Sequence, residues 1–416
     1  MPMQQQNGEV ARLARWLTCA SAALCVGGAP VPCGPATAYG AVGDGKTLND
    51  GALAAALAAC SSAGGGRVSL TTEAAKSSSS YLFAAPVQLV SDVTLVVESD
   101  VTLTFTNFSA NWPTKPGLPS YGAGLSYVPL VYGVGVANAG VAGGGTIDGR
   151  GQWWWSPPSK LPHGRPFLLA CERCKRFSLG AVTLTNSPSW TVHMWDSEEV
   201  LVDGLRVRNP IHAPNTDGID IDSSRNVLLR HLDIVTSDDH IAIKSGANAA
   251  GRAFNRPSVN VTVEDSHFGL GAGIAIGSEM SGGVYNVTAR RLKFGLGAHS
   301  VVRVKSARGR GGLMDNIIFE DIVAEGVDVP ISVQMGYKPG PAPANGTGPD
   351  TPHLGRLTVR RLRAASVFAG ELLCLPESPC DGIVLEDVTI VTLGMWKCEN
   401  AAPSAEHVFP TPQCAK

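Results

Sequence analysis

Residues 200–210 read VLVDGLRVRNP and residues 227–237 read VLLRHLDIVTS. In each, two short apolar-alternating pieces flank a polar kink. The unit recurs along the chain. FSLGAVTLTNS precedes it from Phe177, and VTVEDSHFGLG, VTARRLKFGLG, IIFEDIVAEGV, LTVRRLRAASV and IVLEDVTIVTL follow from Val261, Val287, Ile317, Leu357 and Ile383. Starts 23 to 40 residues apart mark a solenoid. Period-two alternation in Val, Ile and Leu makes the pieces strands, and almost no stretch carries a long helical period. Short strands with many turns and no crossover helices predict an all-β fold, a parallel β-helix. Each strand then pairs with its counterpart one rung away, about 4.8 Å off, and inward side chains stack into an apolar core. Uneven intervals mean loops of varied length on one side, the Pro- and Gly-rich stretch 339–352 among them.

A solenoid needs its open ends covered. The run ALAAALAAC, Ala52 to Cys60, is the one good helix candidate, with Asn49 or Asp50 as its cap. It is expected to close the N-terminal end, with GGGRVSL opening the first strand. The 416 residues, 44% hydrophobic and 16% charged, suffice for a substantial core. A net charge of −2 gives no global field to recruit nucleic acid or an anionic membrane, so any anionic ligand must meet a local basic cluster.

At the N-terminus, Arg12 and Arg15 precede an apolar run from Trp16 to about Ala29, too short to span a bilayer stably. Residues 1–30 are read as a secretory signal, against the alternative of a helix packed on the body. Removing them leaves eight of the ten cysteines. The close pairs Cys171/Cys174, Cys374/Cys380 and Cys398/Cys414 suit local disulfides in an oxidising compartment. A zinc ribbon would need a second CxxC. Sequons at Asn107, Asn260, Asn286 and Asn345 are compatible with glycosylation.

Two stretches add acids to the repeat. Superposing GIDID (218–222), HIAIK (240–244), GIAIG (273–277) and VVRVK (301–305) puts Ile219, Ile241, Ile274 and Val302 in one inward column. Asp217 and Asp239 then stand two positions ahead of that column on adjacent rungs, with Asp238 one step earlier. Three carboxylates packed so closely repel, and some must bind protons more tightly. Such clustering at a strand edge suits acid/base chemistry. Turn aspartates bonding their own backbone, and a calcium cage, are the alternatives. On the same face Arg303 and Lys305 alternate outward, a pair suited to the carboxylates of a uronate polymer.

NTDGIDID, SDDHIAIKSG, GAGIAIGSEMSGG and RVK resemble, in order and spacing, the four motifs of the polygalacturonase-like family of pectin glycoside hydrolases (family 28), in its plant-type "probable polygalacturonase" branch. AVGDGKTLND, GTIDGRGQWWW and NSPSWTVHMWD are similar to that family too. The resemblance runs from about Tyr39 to the C-terminus, so that 39–416 is read as the catalytic β-helix domain. It implies a right-handed helix and hydrolysis of α-linked galacturonan with inversion, by a secreted, cell-wall-directed monomer needing no cofactor or metal. Carried over by motif, Asp238 is the general acid, and Asp217 and Asp239 hold and activate water. Asn215 positions the site, and Arg303 and Lys305 bind the substrate carboxylate. Two departures stand out. Gly271-Ala272-Gly273 replaces the family's Gly-His-Gly, and His240 stands where Cys is common. His299, four before Arg303, is the candidate to replace the missing histidine, and Tyr337 is a candidate flank of the cleft. Of Trp153, Trp154 and Trp155, at least two are read as structural. Rhamnogalacturonan hydrolysis and exo attack on oligomers remain alternatives within the class. Outside it stand a calcium-dependent pectate lyase and a non-catalytic wall-binding β-helix.

Overall fold

Stacked aliphatic columns hold the molecule together. Ile219, Ile241, Ile274 and Val302 face inward on successive rungs, with Ile221, Ile243, Ile276 and Val304 beside them, all at 0% exposure. Each such side chain contributes about 1.5–3 kcal/mol by leaving water. The computed structural model describes residues 32–72, 77–107, 111–155, 161–337 and 348–414. The expected signal, with Cys19 and Cys25, lies outside the described residues, as do Asn345 and most of the stretch 339–352.

The chain forms a right-handed parallel β-helix. A 21-stranded sheet carries the recurring kinked pieces, and an 11-stranded sheet forms the face that bears the acids. Strands of this second face are numbered β1 (Val87–Gln88), β2 (Val131–Val134), β3 (Leu169–Glu172), β4 (Val192–Trp195), β5 (Ile219–Asp222), β6 (Ile241–Lys244), β7 (Ile274–Gly277), β8 (Val302–Lys305), β9 (Ile331–Gln334), β10 (Gly370–Leu373) and β11 (Trp396–Glu399). The register is the expected one: Ile219 pairs with Ile241, Ile241 with Ile274, and Ile274 with Val302.

From the repeat at Val200 onward, the polar kink holds a residue in left-handed conformation. His231, Asp265, Arg291, Asp321, Arg361 and Asp387 hold φ between 51° and 57° on successive rungs. At that angle the strand bends without leaving the ladder. A second left-handed column is an asparagine ladder. Asn260 donates to Asn226 (3.0 Å), Asn286 to Asn260 (3.2 Å) and Asn316 to Asn286 (2.8 Å). The side-chain nitrogens of the sequons at Asn260 and Asn286 are therefore already donors inside the fold.

Helix α1 spans Asp50–Ser62 and buries Leu53, Ala56, Leu57 and Cys60 at the N-terminal end. Its start corrects the expected cap. Asn49 is the N-cap residue, but its side chain accepts the Val42 N–H at 2.7 Å instead of capping. Asp50 accepts the Ala84 and Ala85 N–H groups at 3.0 and 2.7 Å, tying the helix to the next turn. GGGRVSL is not the first strand, since Pro32–Pro35 and Asp44–Leu48 precede it. The three expected disulfides form, and Cys33–Cys60 joins the first strand to α1. No helix among the described residues is long and apolar enough to cross a membrane.

Candidate active site

The acids lie in the turns that lead into β5 and β6. Gly218 N–H donates to the Asp239 carbonyl at 2.8 Å, drawing the two turns together. A Cβ on Gly218 would stand 2.4 Å from the His240 carbonyl oxygen, so this approach requires glycine. As a result, one carboxylate oxygen from each of Asp217, Asp238 and Asp239 lies within 4.8 Å of the other two.

Their surroundings differ. Asp239 is buried, and both its oxygens meet cations: Arg303 at 2.8 Å and Lys305 at 2.6 Å. Asp238 is partly exposed. It accepts a long hydrogen bond from the Asn215 amide (3.4 Å) and one from the Asp239 N–H (3.0 Å). Asn215 is itself held by Arg165, which donates to its carbonyl oxygen at 2.8 Å. Asp217 is buried, and its Oδ1 has no hydrogen-bond partner among the described residues. The Tyr337 ring centroid lies 5.8 Å from the Arg303 guanidinium and 5.2 Å from Lys305 Nζ, bordering the cation pair.

Sequence reasoning missed the layer beneath. Lys244 Nζ stands 3.0 Å from Asp220, 3.6 Å from Glu279 and 3.8 Å from Asp217, and 3.6 Å from the centroid of the Trp190 ring. Burial pushes the Asp217 carboxyl well above the usual range, and the charges of Asp220, Asp238 and Asp239 add to this against Lys244. Burial likewise pushes Asp220 up to about 6, against the pull of Lys244 and His193. Burial also works against Glu279, yet Lys244 and Arg310 hold it down to about 2. Asp220 and Lys244 occupy outward positions of GIDID and HIAIK, where a charge reads as solvated. Only their alternation against a buried column, on both sides of the acids, could have raised suspicion.

The histidines divide. His240 is fully buried under the turn 269–273. Its Nδ1 accepts the Gly273 N–H at 3.1 Å, and its Nε2–H faces the carbonyls of Gly269 and Leu270 at 3.0 and 3.1 Å. Burial drives it down to about 4, so the ring is neutral. A Cβ on Gly271 would come 2.4 Å from its Nε2. His299 lies beside that turn, its N–H donating to the Gly271 carbonyl at 2.7 Å. Its half-exposed ring pairs with Asp328 at 3.0 Å. Trp154 is buried in the core, Trp155 donates to the Ser187 carbonyl at 3.1 Å, and Trp153 is exposed.

The three acids stand closely enough to bracket a cation, but Arg303 and Lys305 already take both oxygens of Asp239. A divalent ion would have to share those oxygens against two positive charges. Carboxyl groups this close, one partly exposed and two buried, suit proton exchange over one bond.

A family model for glycosyl hydrolases family 28 matches residues 84–408. A "probable polygalacturonase" of Vitis vinifera is 31% identical over 392 residues, 90% of this chain and 78% of that protein. The crystal structure of an exopolygalacturonase from Thermotoga maritima superposes with a TM-score of 0.74 at 26% identity, covering 89% of this chain and 91% of that one. The polygalacturonase of Erwinia carotovora gives 0.72 at 25% identity, covering 91% and 98%.

Proposed function

This chain belongs to glycosyl hydrolases family 28 and is a glycoside hydrolase, and from that we propose that it cleaves α-linked galacturonic acid polymers of pectin by acid–base catalysis. Asp238 is the proton donor to the leaving oxygen. It is the most exposed of the three acids, and no cation pairs with it among the described residues. Asp217 and Asp239 hold the attacking water. Arg303 and Lys305 receive the uronate carboxylate next to the scissile bond, and Asn215, Tyr337 and His299 line the rim. Asp217, Asp238 and Asp239 crowd one another, and burial with these neighbouring charges raises the Asp217 carboxyl, so a proton is retained within the cluster, as acid catalysis requires.

The observation that carries this reading is the three acids within 4.8 Å, set beside a guanidinium and an ammonium on the same face. Inverting enzymes usually hold their carboxyls about 6.5–9.5 Å apart, so inversion rests on family membership and not on this spacing. Four disulfides support an oxidising compartment, and hence a secreted enzyme, with 39–416 as its catalytic domain and the monomer as its working form.

The test is incubation with polygalacturonate. Saturated products with new reducing ends, formed equally well with a chelator present, are expected. Unsaturated, ultraviolet-absorbing products lost on chelation would make it a lyase. Binding without cleavage would make it a wall-binding module.

A further inference from the structure

The outward face of the 11-stranded sheet is not one continuous groove. Two columns run along it, parallel to the stack. One contains Ala170, His193, Asp220, Ala242, Ala275 and Arg303. The other contains Glu172, Trp195, Asp222, Lys244 and, past Gly277, Lys305. On the C-terminal side of Arg303 the columns come out into solvent once past Ser332, which is buried. Gln334, Glu371 and Leu373 are partly exposed, and Lys397 and Glu399 exposed. On the N-terminal side they are covered. Exposure is 0% for His193, Asp220 and Asp222, 1% for Trp195 and 8% for Glu172.

The cover is built, not incidental. An antiparallel hairpin, Thr114–Pro116 with Leu125–Tyr127, leaves the helix body and lies over three successive rungs. Lys115 pairs with Glu172 of β3. Ser120 Oγ accepts the Trp195 indole N–H of β4 at 2.9 Å. Tyr121 O–H donates to Asp222 of β5 at 2.6 Å. Helix α2 (Asn248–Phe254) braces the hairpin tip, with the Ala247 N–H donating to the Ser120 carbonyl at 2.9 Å and Phe254 stacked on Trp195 at 5.2 Å. On the other column Phe167 and Trp190 lie parallel at 5.0 Å over His193, and Trp190 also covers Lys244.

We infer that the cleft is blind at its N-terminal end, so that the enzyme acts on a chain end and releases one or two sugar units per cut. This rests on the preceding reading of the reaction. The acids sit on the rungs of β5 and β6 and the cations on β8, so the polymer lies along the stack. Tyr121 meets Asp222 at the far end of β5, five residues along the strand from Asp217. Trp190 stands on the acids' side, one rung, about 4.8 Å, before Asp217, and reaches across to Lys244. A polymer crossing the acids in mid-chain would have to pass over this aromatic stack and along the hairpin. An end can enter from the open C-terminal side and stop at the wall.

The test is a time course on an oligogalacturonide labelled at its reducing end. The structure predicts mono- or digalacturonate as the small product from the first minutes. The label either leaves at once in that product or stays on a chain that shortens stepwise; the two patterns tell which end enters. Label spread from the outset over products of all lengths would overturn the inference. Absence of any hydrolysis would instead overturn the reading of the reaction. Tyr121→Ala, which removes the wall's bond to Asp222, is expected to broaden the products, and the labelled wild-type experiment decides if that variant does not fold.

Discussion

Asp239 offers both carboxylate oxygens to cations, while Asp238, one residue earlier, meets no cation among the described residues. That asymmetry lets two neighbours serve different steps, one as a fixed anion and one as a free proton carrier. The buried titrating residues give the molecule opposing responses to pH. His240 titrates at about 4 in the fold against an ordinary 6.5, because burial disfavours its charged form. Its contribution is complete above about pH 6.5 and is lost as pH falls through 4. Asp220, raised from 3.8 to about 6 by burial, does the reverse: its contribution is complete below about 3.8 and lost as pH rises through 6. His240→Gln removes the first effect alone. The unfolding free energy of the wild type should therefore fall more steeply between pH 6.5 and 4 than that of the variant. The difference is on the order of 3 kcal/mol, read from urea melts across that range. Parallel curves would mean that His240 is not held neutral.

At the scale of the element, the asparagine ladder pins rung to rung on the side away from the groove. Asn286 both donates and accepts in it, at φ 57°. Asn286→Ala should lower stability by about 1–3 kcal/mol, from lost side-chain bonds of about 1 kcal/mol each and from left-handed strain that the asparagine side chain no longer offsets. Asn286→Gly should recover about 1 kcal/mol of that, since only the strain is relieved. Thermal unfolding of the two variants checks it, and equal losses would place the cost in the bonds alone. Much at this scale was legible beforehand. Period-two runs fixed which side chains face inward, and aligning GIDID, HIAIK, GIAIG and VVRVK yielded the true register, because a one-residue slip would turn every isoleucine out of the core. The close cysteine pairs were equally readable, since cysteines 3 to 16 residues apart meet without long-range folding. The cap of α1 was not: Asn49 turns back to Val42, a contact set by the path of the preceding loop. Nor was the hairpin 114–127, whose three-residue strands sit among Pro and Gly and carry no alternation.

At the scale of the molecule, the solenoid turns sequence separation into adjacency: residues 217, 238 and 239 come within 4.8 Å, and 303 and 305 reach them from two rungs on. The acids and cations could be found from the sequence because the repeat itself places them. Lys244, Asp220 and the covered end of the cleft could not, because their burial depends on an insertion laid across the stack. The central claim is that Asp238 supplies the proton to the departing sugar, and its most direct test compares two substrates in Asp238→Asn. One is the polymer, whose leaving oxygen needs a proton; the other is an aryl galacturonide whose phenolate leaves without one. The account predicts a loss of roughly 10²–10⁴-fold in kcat on the polymer and a rate near the wild type on the aryl substrate. Equal losses on both would contradict it.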